Sequence, residues 1–344
     1  MSRVLLNTLY LQSDGAYAKL DGDTVRVEKD EERLLQAPLL HLGGIVCFEG
    51  ATLSSGLMAR CASDGREVTY LDYTGKFRFR VEGPTSGNVL LRLAQYQAYA
   101  DEVGRLAMAQ PFVAGKLRNS RTLLLRAARE TRIEEDAQVL QEQAAFIGTY
   151  LETVPDVQNL DALRGLEGQA ASCYFSAFGR MIACDKAEFA FAVRTRRPPR
   201  DRTNAVLSFL YALLTSDCVA ACESVGLDPQ FGFLHALRPG RPALALDLME
   251  EFRSPIVDRL ALTLINRRQL QPSHFEVRKG ESVLLNDDGR KIVLTAYQQR
   301  KQEEVRHPLL KQRVPIGIIP HLQARLLARV LRRDAEAYVP YIVR

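Results

Sequence analysis

Apolar and polar positions alternate with a period near two over the first eighty residues, and then change to helical spacing. Val4 to Leu11 reads as a first strand, and Thr24-Val25-Arg26-Val27-Glu28 alternates cleanly. Gly43-Gly44-Ile45-Val46-Cys47-Phe48 is the short apolar run of a buried strand, and Val68 to Leu71 and Phe77 to Val81 follow it. Asp14-Gly15 and Asp21-Gly22 are hairpin turn signals between these runs, and Ser54 to Ser63 is spaced as one helix. Gly83-Pro84-Thr85-Ser86-Gly87 reads as a linker. From Asn88 onward, Leu90, Leu91, Leu93, Ala94 and Ala98 repeat as one helical face. Further helices are predicted over 116–130, 134–153, 159–182, 203–225, 243–268 and 316–336, separated by Pro- and Gly-containing breaks. Residues 273–295 interrupt this pattern. Phe275-Glu276-Val277, Val283-Leu284-Leu285 and Ile292-Val293-Leu294, with Asn286-Asp287-Asp288-Gly289 as a turn, predict a small hairpin. The fold class is α+β: a small N-terminal β-rich domain, 1–85, followed by a larger, mostly α-helical domain, 88–344.

Composition narrows the classes without choosing one. At 344 residues, two domains are the natural expectation. No run of about 18 apolar residues stands out, so no membrane span is expected. The start of the chain lacks a signal peptide's cleavage pattern. Six cysteines are scattered without a C-x-x-C, which argues against a zinc ribbon or a disulfide framework and for a cytoplasmic location with reduced thiols. Charge is unevenly spread. Residues 1–90 hold 10 Lys and Arg against 12 Asp and Glu, net −2, whereas residues 259–344 hold 17 against 8, net +9. A basic C-terminal part suits a polyanion such as nucleic acid and equally suits a solvated, Arg-rich helical surface.

Several familiar chemistries are absent as motifs: no P-loop, no G-x-S-x-G, no HExxH, and no Rossmann glycine pattern after a strand. Four stretches carry candidates. Glu167 lies between Gly165 and Gly168 among small residues, where repeated glycine implies close approach, either of a ligand or of another helix. His235 sits in an apolar run before the Arg238-Pro239-Gly240-Arg241 loop, a pattern also typical of a structural histidine. Asp247, Glu250 and Glu251 interrupt an apolar helix, and helical spacing places Asp247 beside both glutamates. Such acids repel one another unless a cation joins them, either an arginine such as Arg253 or a divalent metal. Carboxylates with one imidazole suit Mg²⁺ or Mn²⁺, the imidazole tilting the balance toward Mn²⁺. The fourth stretch, Arg194 to Ala205, is a basic loop leading into a helix that Asp201 or Thr203 caps; it reads as a phosphate site or as a solvated loop.

At these residues the sequence resembles CRISPR-associated protein one, the integrase/endonuclease family of spacer acquisition. The resemblance rests on Leu5-Leu6-Asn7-Thr8-Leu9-Tyr10, on Arg164-Gly165-x-Glu167-Gly168 with Tyr174-Phe175, and on Asn204-Ala205 leading to Leu207-Ser208-Phe209-Leu210-Tyr211. It continues through Gly232-Phe233-Leu234-His235, Arg238-Pro239-Gly240-Arg241 and Leu246-Asp247-Leu248-Met249-Glu250-Glu251-Phe252-Arg253, so that it covers most of the chain. The start of the chain is most similar to the type I-C branch. The resemblance implies a β-rich dimerisation domain joined to a metal-dependent catalytic domain. It implies catalytic metal ligands at Glu167, His235 and Glu250, with Asp247 and Tyr174 in support. It also implies a cytoplasmic homodimer acting with a small ferredoxin-like adaptation subunit and an accessory RecB-like exonuclease, away from membranes.

The reaction so implied is phosphodiester transfer, in which the 3′-hydroxyl of a short double-stranded DNA attacks the edge of a CRISPR repeat. Arg194, Arg196, Arg197, Arg200, Arg238 and Arg241 are the candidate DNA contacts. Two other classes fit the same residues less fully. A plain metal-dependent nuclease would use water as the attacker, and a non-catalytic DNA-binding scaffold would need the charge but not the three ligands.

Overall fold

The computed structural model describes residues 7–83, 88–184, 186–278, 280 and 282–343. The Val4 to Leu6 part of the expected first strand, the Leu5-Leu6 pair and residues 84–87 of the expected linker lie outside them. The chain divides into two compact units, Met1–Ser86 with Leu294–Gln302, and Gly87–Val293 with Glu303–Arg344.

The first unit is β-rich. Its strands are β1 (Thr8–Leu11), β2 (Tyr17–Asp21), β3 (Thr24–Lys29), β4 (Glu32–Pro38), β5 (Gly44–Phe48), β6 (Thr52–Leu53), β7 (Glu67–Leu71) and β8 (Phe77–Val81), with helix α1 (Ser55–Ser63) between β6 and β7. They form two four-stranded sheets, ordered β1-β5-β7-β8 and β4-β3-β2-β6. In the first sheet β1, β5 and β7 run parallel and β8 antiparallel. Central strand β5 is buried at all five positions, which explains why its sequence is apolar without alternation. The β2–β3 hairpin turns through Gly22, whose φ of 57° suits glycine. Helix α1 starts where Ser54 Oγ accepts the Leu57 N–H at 3.2 Å. Strand β4 carries no burial alternation, and its residues are almost all exposed, so periodicity misses it.

The second unit is mostly helical: α2 (Val89–Ala100), α3 (Glu102–Glu130), α4 (Glu134–Thr153), α5 (Leu160–Phe178), α6 (Arg202–Ser224), α7 (Ala243–Met249), α8 (Arg259–Asn266) and, near the end, α10 (Ile319–Leu331). Helix α9 (Asp287–Gln302) runs from this unit into the first. Two short antiparallel ribbons complete it, β9 (Phe275–Arg278) with β10 (Ser282–Leu285), and β11 (Glu304–Arg306) with β12 (Arg313–Pro315).

Four expectations are corrected. Ile292-Val293-Leu294 is not a strand but part of α9, and Asn286 to Gly289 is not a hairpin turn but the start of that helix. Asn286 Oδ1 accepts the Gly289 N–H at 3.0 Å, and Asp287 and Asp288 occupy the first turn, where the helix dipole favours acids. Residues 294–302, placed by chain order in the helical domain, group with the β-rich unit, where Gln302 Nε2 donates to Asn7 Oδ1 at 3.2 Å. The expected helix 243–268 is broken in two. Finally, α6 does reach a mean hydropathy of 1.8, long and apolar enough to cross a membrane by composition, but 67% of that window is buried inside the protein, as befits a core helix.

Candidate active site

The break after α7 has an identifiable cause. Pro255 has no N–H to return to the carbonyl of Glu251, and the backbone widens into a π-helical turn over Arg253–Asp258. The carbonyl oxygen of Glu251 instead accepts a hydrogen bond from Asn119 Nδ2 of α3 at 2.8 Å. Glu250 and Glu251, adjacent in sequence, point into different surroundings.

Glu250 is 3% exposed and faces a cluster drawn from α3, α5 and the loop before α7. Lys116 Nζ of α3 lies 2.7 Å from Glu250 Oε2 and also pairs with Glu167 Oε1 of α5. Arg253 Nη1 donates to Glu250 Oε2 at 3.2 Å, and His235 Nε2 lies 3.8 Å from Glu250 Oε1. Burial opposes ionisation of Glu250, but Arg253, Lys116 and His235 outweigh it and hold the carboxyl at about 2.

Asp247 organises the histidine. It is fully buried, and its Oδ2 accepts the backbone N–H groups of Phe233 at 2.5 Å and Leu234 at 3.0 Å. Its Oδ1 accepts the backbone N–H of His235 at 2.9 Å and meets Nδ1 of the ring at 2.7 Å. With Nδ1 against the carboxylate, the ring is oriented so that Nε2 faces Glu250. Gly232 makes this approach possible, because a Cβ there would lie 2.6 Å from Asp247 Oδ2. From the other side, Arg105 Nε and Arg164 Nε donate to the carbonyls of Phe233 and Leu234 at 3.0 and 2.7 Å.

Lys116 thus bridges Glu167 and Glu250, His235 faces Glu250 with Asp247 behind the imidazole, and among the described residues no three acidic or imidazole side chains are yet gathered as a metal would hold them. The donor types, two carboxylates and an imidazole nitrogen, fit a hard divalent ion, and the Lys116 ammonium between the two carboxylates shows that the position accepts a cation. Gly165 and Gly168 flank Glu167 on the open face of α5, where an added Cβ would have no neighbour within 4 Å. Helix-to-helix contact is therefore not why these glycines are there.

Two predicted site residues are placed differently from expectation. Tyr174 is buried, and its hydroxyl donates to Asp258 Oδ2 at 2.7 Å, so it belongs to the floor of the site rather than to its open face. Tyr211 donates to the other oxygen of Asp258 at 2.5 Å. Arg194 is not a surface contact either. Its guanidinium is held by Asn204 Oδ1 at 2.7 Å and Ser208 Oγ at 3.0 Å, and burial pushes its pKa down to about 10. Asp201 rather than Thr203 caps α6, accepting the Asn204 N–H at 2.7 Å. Arg196, Arg197, Arg200 and Arg238 are exposed, and Arg241 is half-buried. Burial together with the neighbouring guanidinium groups of Arg238, Arg164 and Arg197 lowers the pKa of Arg241, so these arginines form one basic cluster beside the histidine loop.

Sequence reasoning missed Lys116, whose apolar surroundings in α3 gave no signal of chemistry. It left open whether the C-terminal segment from Tyr338 is ordered. Glu251 is buried against that segment: Tyr338 Oη donates to its Oε1 at 2.5 Å, and the Tyr341 N–H and Gln323 Nε2 donate to its Oε2 at 2.6 and 3.0 Å. Asn119 clamps the same segment, donating to the carbonyl of Tyr341 at 2.8 Å and accepting the Val343 N–H at 2.9 Å. Burial pushes the Glu251 carboxyl up to about 8 in spite of these donors. Tyr338→Phe removes one donor from a buried acceptor and should cost about 1–2 kcal/mol in chemical denaturation; an unchanged midpoint would mean the segment does not bear on stability.

Comparison with known proteins gives the family. The family model described as CRISPR associated protein Cas1 matches residues 9–299. A CRISPR-associated endonuclease Cas1 from Moorella thermoacetica is 52% identical over 99% of both chains, and one from Rhodospirillum rubrum is 48% identical over 98% of both. Among solved structures, a casposase bound to its integration product superposes with a TM-score of 0.83 at 25% identity, covering 96% of this chain and 92% of that one. With the match spanning both units and every motif around the cluster, the chain belongs to the Cas1 family of CRISPR-associated endonucleases.

Proposed function

We propose that this chain is a metal-dependent DNA integrase of CRISPR adaptation, joining the 3′-hydroxyl of a short double-stranded DNA to the edge of a CRISPR repeat. The observation that carries this reading is the pairing of Glu167 and Glu250 through Lys116, with His235 facing Glu250, from three separate segments, beside the Arg238–Arg241 basic cluster. The arginines receive the phosphate backbone, so binding weakens as salt rises. Asp247 holds the imidazole in the orientation that presents Nε2. A divalent ion, Mn²⁺ or Mg²⁺, held by Glu167, His235 and Glu250 would supply the positive charge that polarises the scissile phosphodiester. The chain itself provides no nucleophile in this account. Tyr174 and Tyr211 line the cavity beside Lys116, and both hydroxyls donate to Asp258. The attacking group is then the DNA's own hydroxyl.

The partners belong to the same reading. A homodimer, a small ferredoxin-like subunit and an accessory RecB-like exonuclease are carried over from the family, and the type I-C branch rests on the resemblance of the start of the chain alone. Exposed apolar residues on β4 and β8, among them Leu34, Phe77 and Phe79, give the β-rich unit surface for self-association. Six free thiols fit the reducing cytoplasm. Short duplexes incubated with a supercoiled repeat-bearing plasmid, Mn²⁺ and the small partner should give covalently joined products. Plasmid nicking without joining would favour a plain nuclease, and DNA binding without either product would favour a scaffold.

A further inference from the structure

Lys116 has no role in the chemistry above, yet it stands at the centre of the site. Its side chain is 9% exposed and leaves α3 between α5 and the end of α7. The ammonium pairs with Glu167 Oε1 and lies 2.7 Å from Glu250 Oε2, so it holds an oxygen from each of the two acidic ligands proposed for the metal. A divalent ion on those oxygens and an ammonium on the same oxygens exclude each other, by contact and by Coulomb repulsion. Arg253 differs. Its guanidinium approaches Glu250 at 3.2 Å and lies over the Tyr211 ring at 4.7 Å, and it acts on Glu167 only through longer-range charge. Lys116, in contrast, is a compact charge on a flexible stem that can withdraw. Beside it lies a small cavity lined by Ser120, Tyr174, Tyr211, Ser254 and Asp258, which offers hydroxyls and a carboxylate to a displaced ammonium.

We propose that Lys116 is a built-in placeholder for the metal. Without metal its ammonium neutralises Glu167 and Glu250 and keeps two buried acids together; the metal binds by displacing it, so Lys116 sets the affinity and the threshold concentration at which the site loads. This rests on the metal site proposed above. Lys116 is here a positioning residue acting through the two carboxylates.

The test is direct Mn²⁺ binding, followed by the paramagnetic resonance of free Mn²⁺, on the full-length wild type, Lys116→Met, Lys116→Gln and Glu250→Gln. Removing the competing charge should tighten Mn²⁺ binding by about tenfold or more in both Lys116 variants. Their metal-free forms should melt at lower temperature than wild type, and Mn²⁺ should recover the difference. An affinity equal to or weaker than wild type in a folded Lys116→Gln would overturn the proposal. If wild type and Glu250→Gln bind Mn²⁺ alike, the metal site itself is wrongly placed, and the placeholder falls with it. A tighter Lys116→Gln together with a weakened Glu250→Gln supports both.

Discussion

Glu250→Gln should abolish the joining of DNA ends proposed for this chain, by about 10³-fold or more, while the chain keeps its fold. The substitution preserves shape and removes only the charge. In the native protein this carboxylate is 3% exposed and faces Lys116, Arg253 and His235. Cations at that distance make it ionise despite burial, and an ionised oxygen is what a divalent ion needs as a ligand. The amide offers a neutral oxygen and leaves Lys116 and Arg253 facing Glu167 alone. Stability should therefore fall as well, since removing one partner from a buried charge cluster is costly. The joining rate measured in a single turnover, with circular dichroism as the control for folding, checks this. A folded Glu250→Gln that joined DNA at the wild-type rate would remove this residue from the site.

Asp247→Ala has the second large effect, by a different route. No metal role is assigned to Asp247; its two oxygens accept three consecutive backbone N–H groups and face the imidazole Nδ1. Alanine leaves those N–H groups buried without acceptors. The expected cost is about 3–5 kcal/mol, from about 1–3 kcal/mol for each orphaned donor with partial relaxation. The histidine loses the partner that fixes its orientation, so joining should fall together with stability. Asp247→Asn keeps an oxygen acceptor but turns a donor toward other donors, and should lie between wild type and alanine in both measurements. Denaturation and joining rates on the two variants test this. An Asp247→Ala protein with wild-type stability would contradict the role given to those hydrogen bonds.

The sequence showed the division into a β-rich and a helical part because periodicity changes from two to 3.6 at Asn88, and burial alone dictates that change. It missed β4, which buries almost nothing, and misread 286–294, where an Asn-Asp-Asp-Gly run serves equally as turn or helix cap. Helical spacing placed Asp247 beside Glu250 and Glu251, but it could not show which surroundings each side chain meets. One serves the histidine loop, one the catalytic cluster and one the C-terminal segment. His235 and Glu167 were legible as odd residues in apolar or small surroundings, and the resemblance joined them to Glu250. Lys116 was not legible, because a lone lysine on a long helix is most often a surface residue, and only the packing of α3 against α5 and the π-helical turn buries it. Arg194 was the converse case: a basic loop residue turned inward by Asn204 and Ser208.

The most direct test of the central claim is strand transfer with a paired donor. Wild type receives short duplexes ending either in a 3′-hydroxyl or in a 3′-deoxy terminus, with the repeat plasmid and Mn²⁺, alongside Glu167→Gln, His235→Asn and Glu250→Gln. The account predicts covalent joining by wild type with the hydroxyl donor only, and by none of the three variants. Joining with the deoxy donor, or by any of the variants at the wild-type rate, would contradict it.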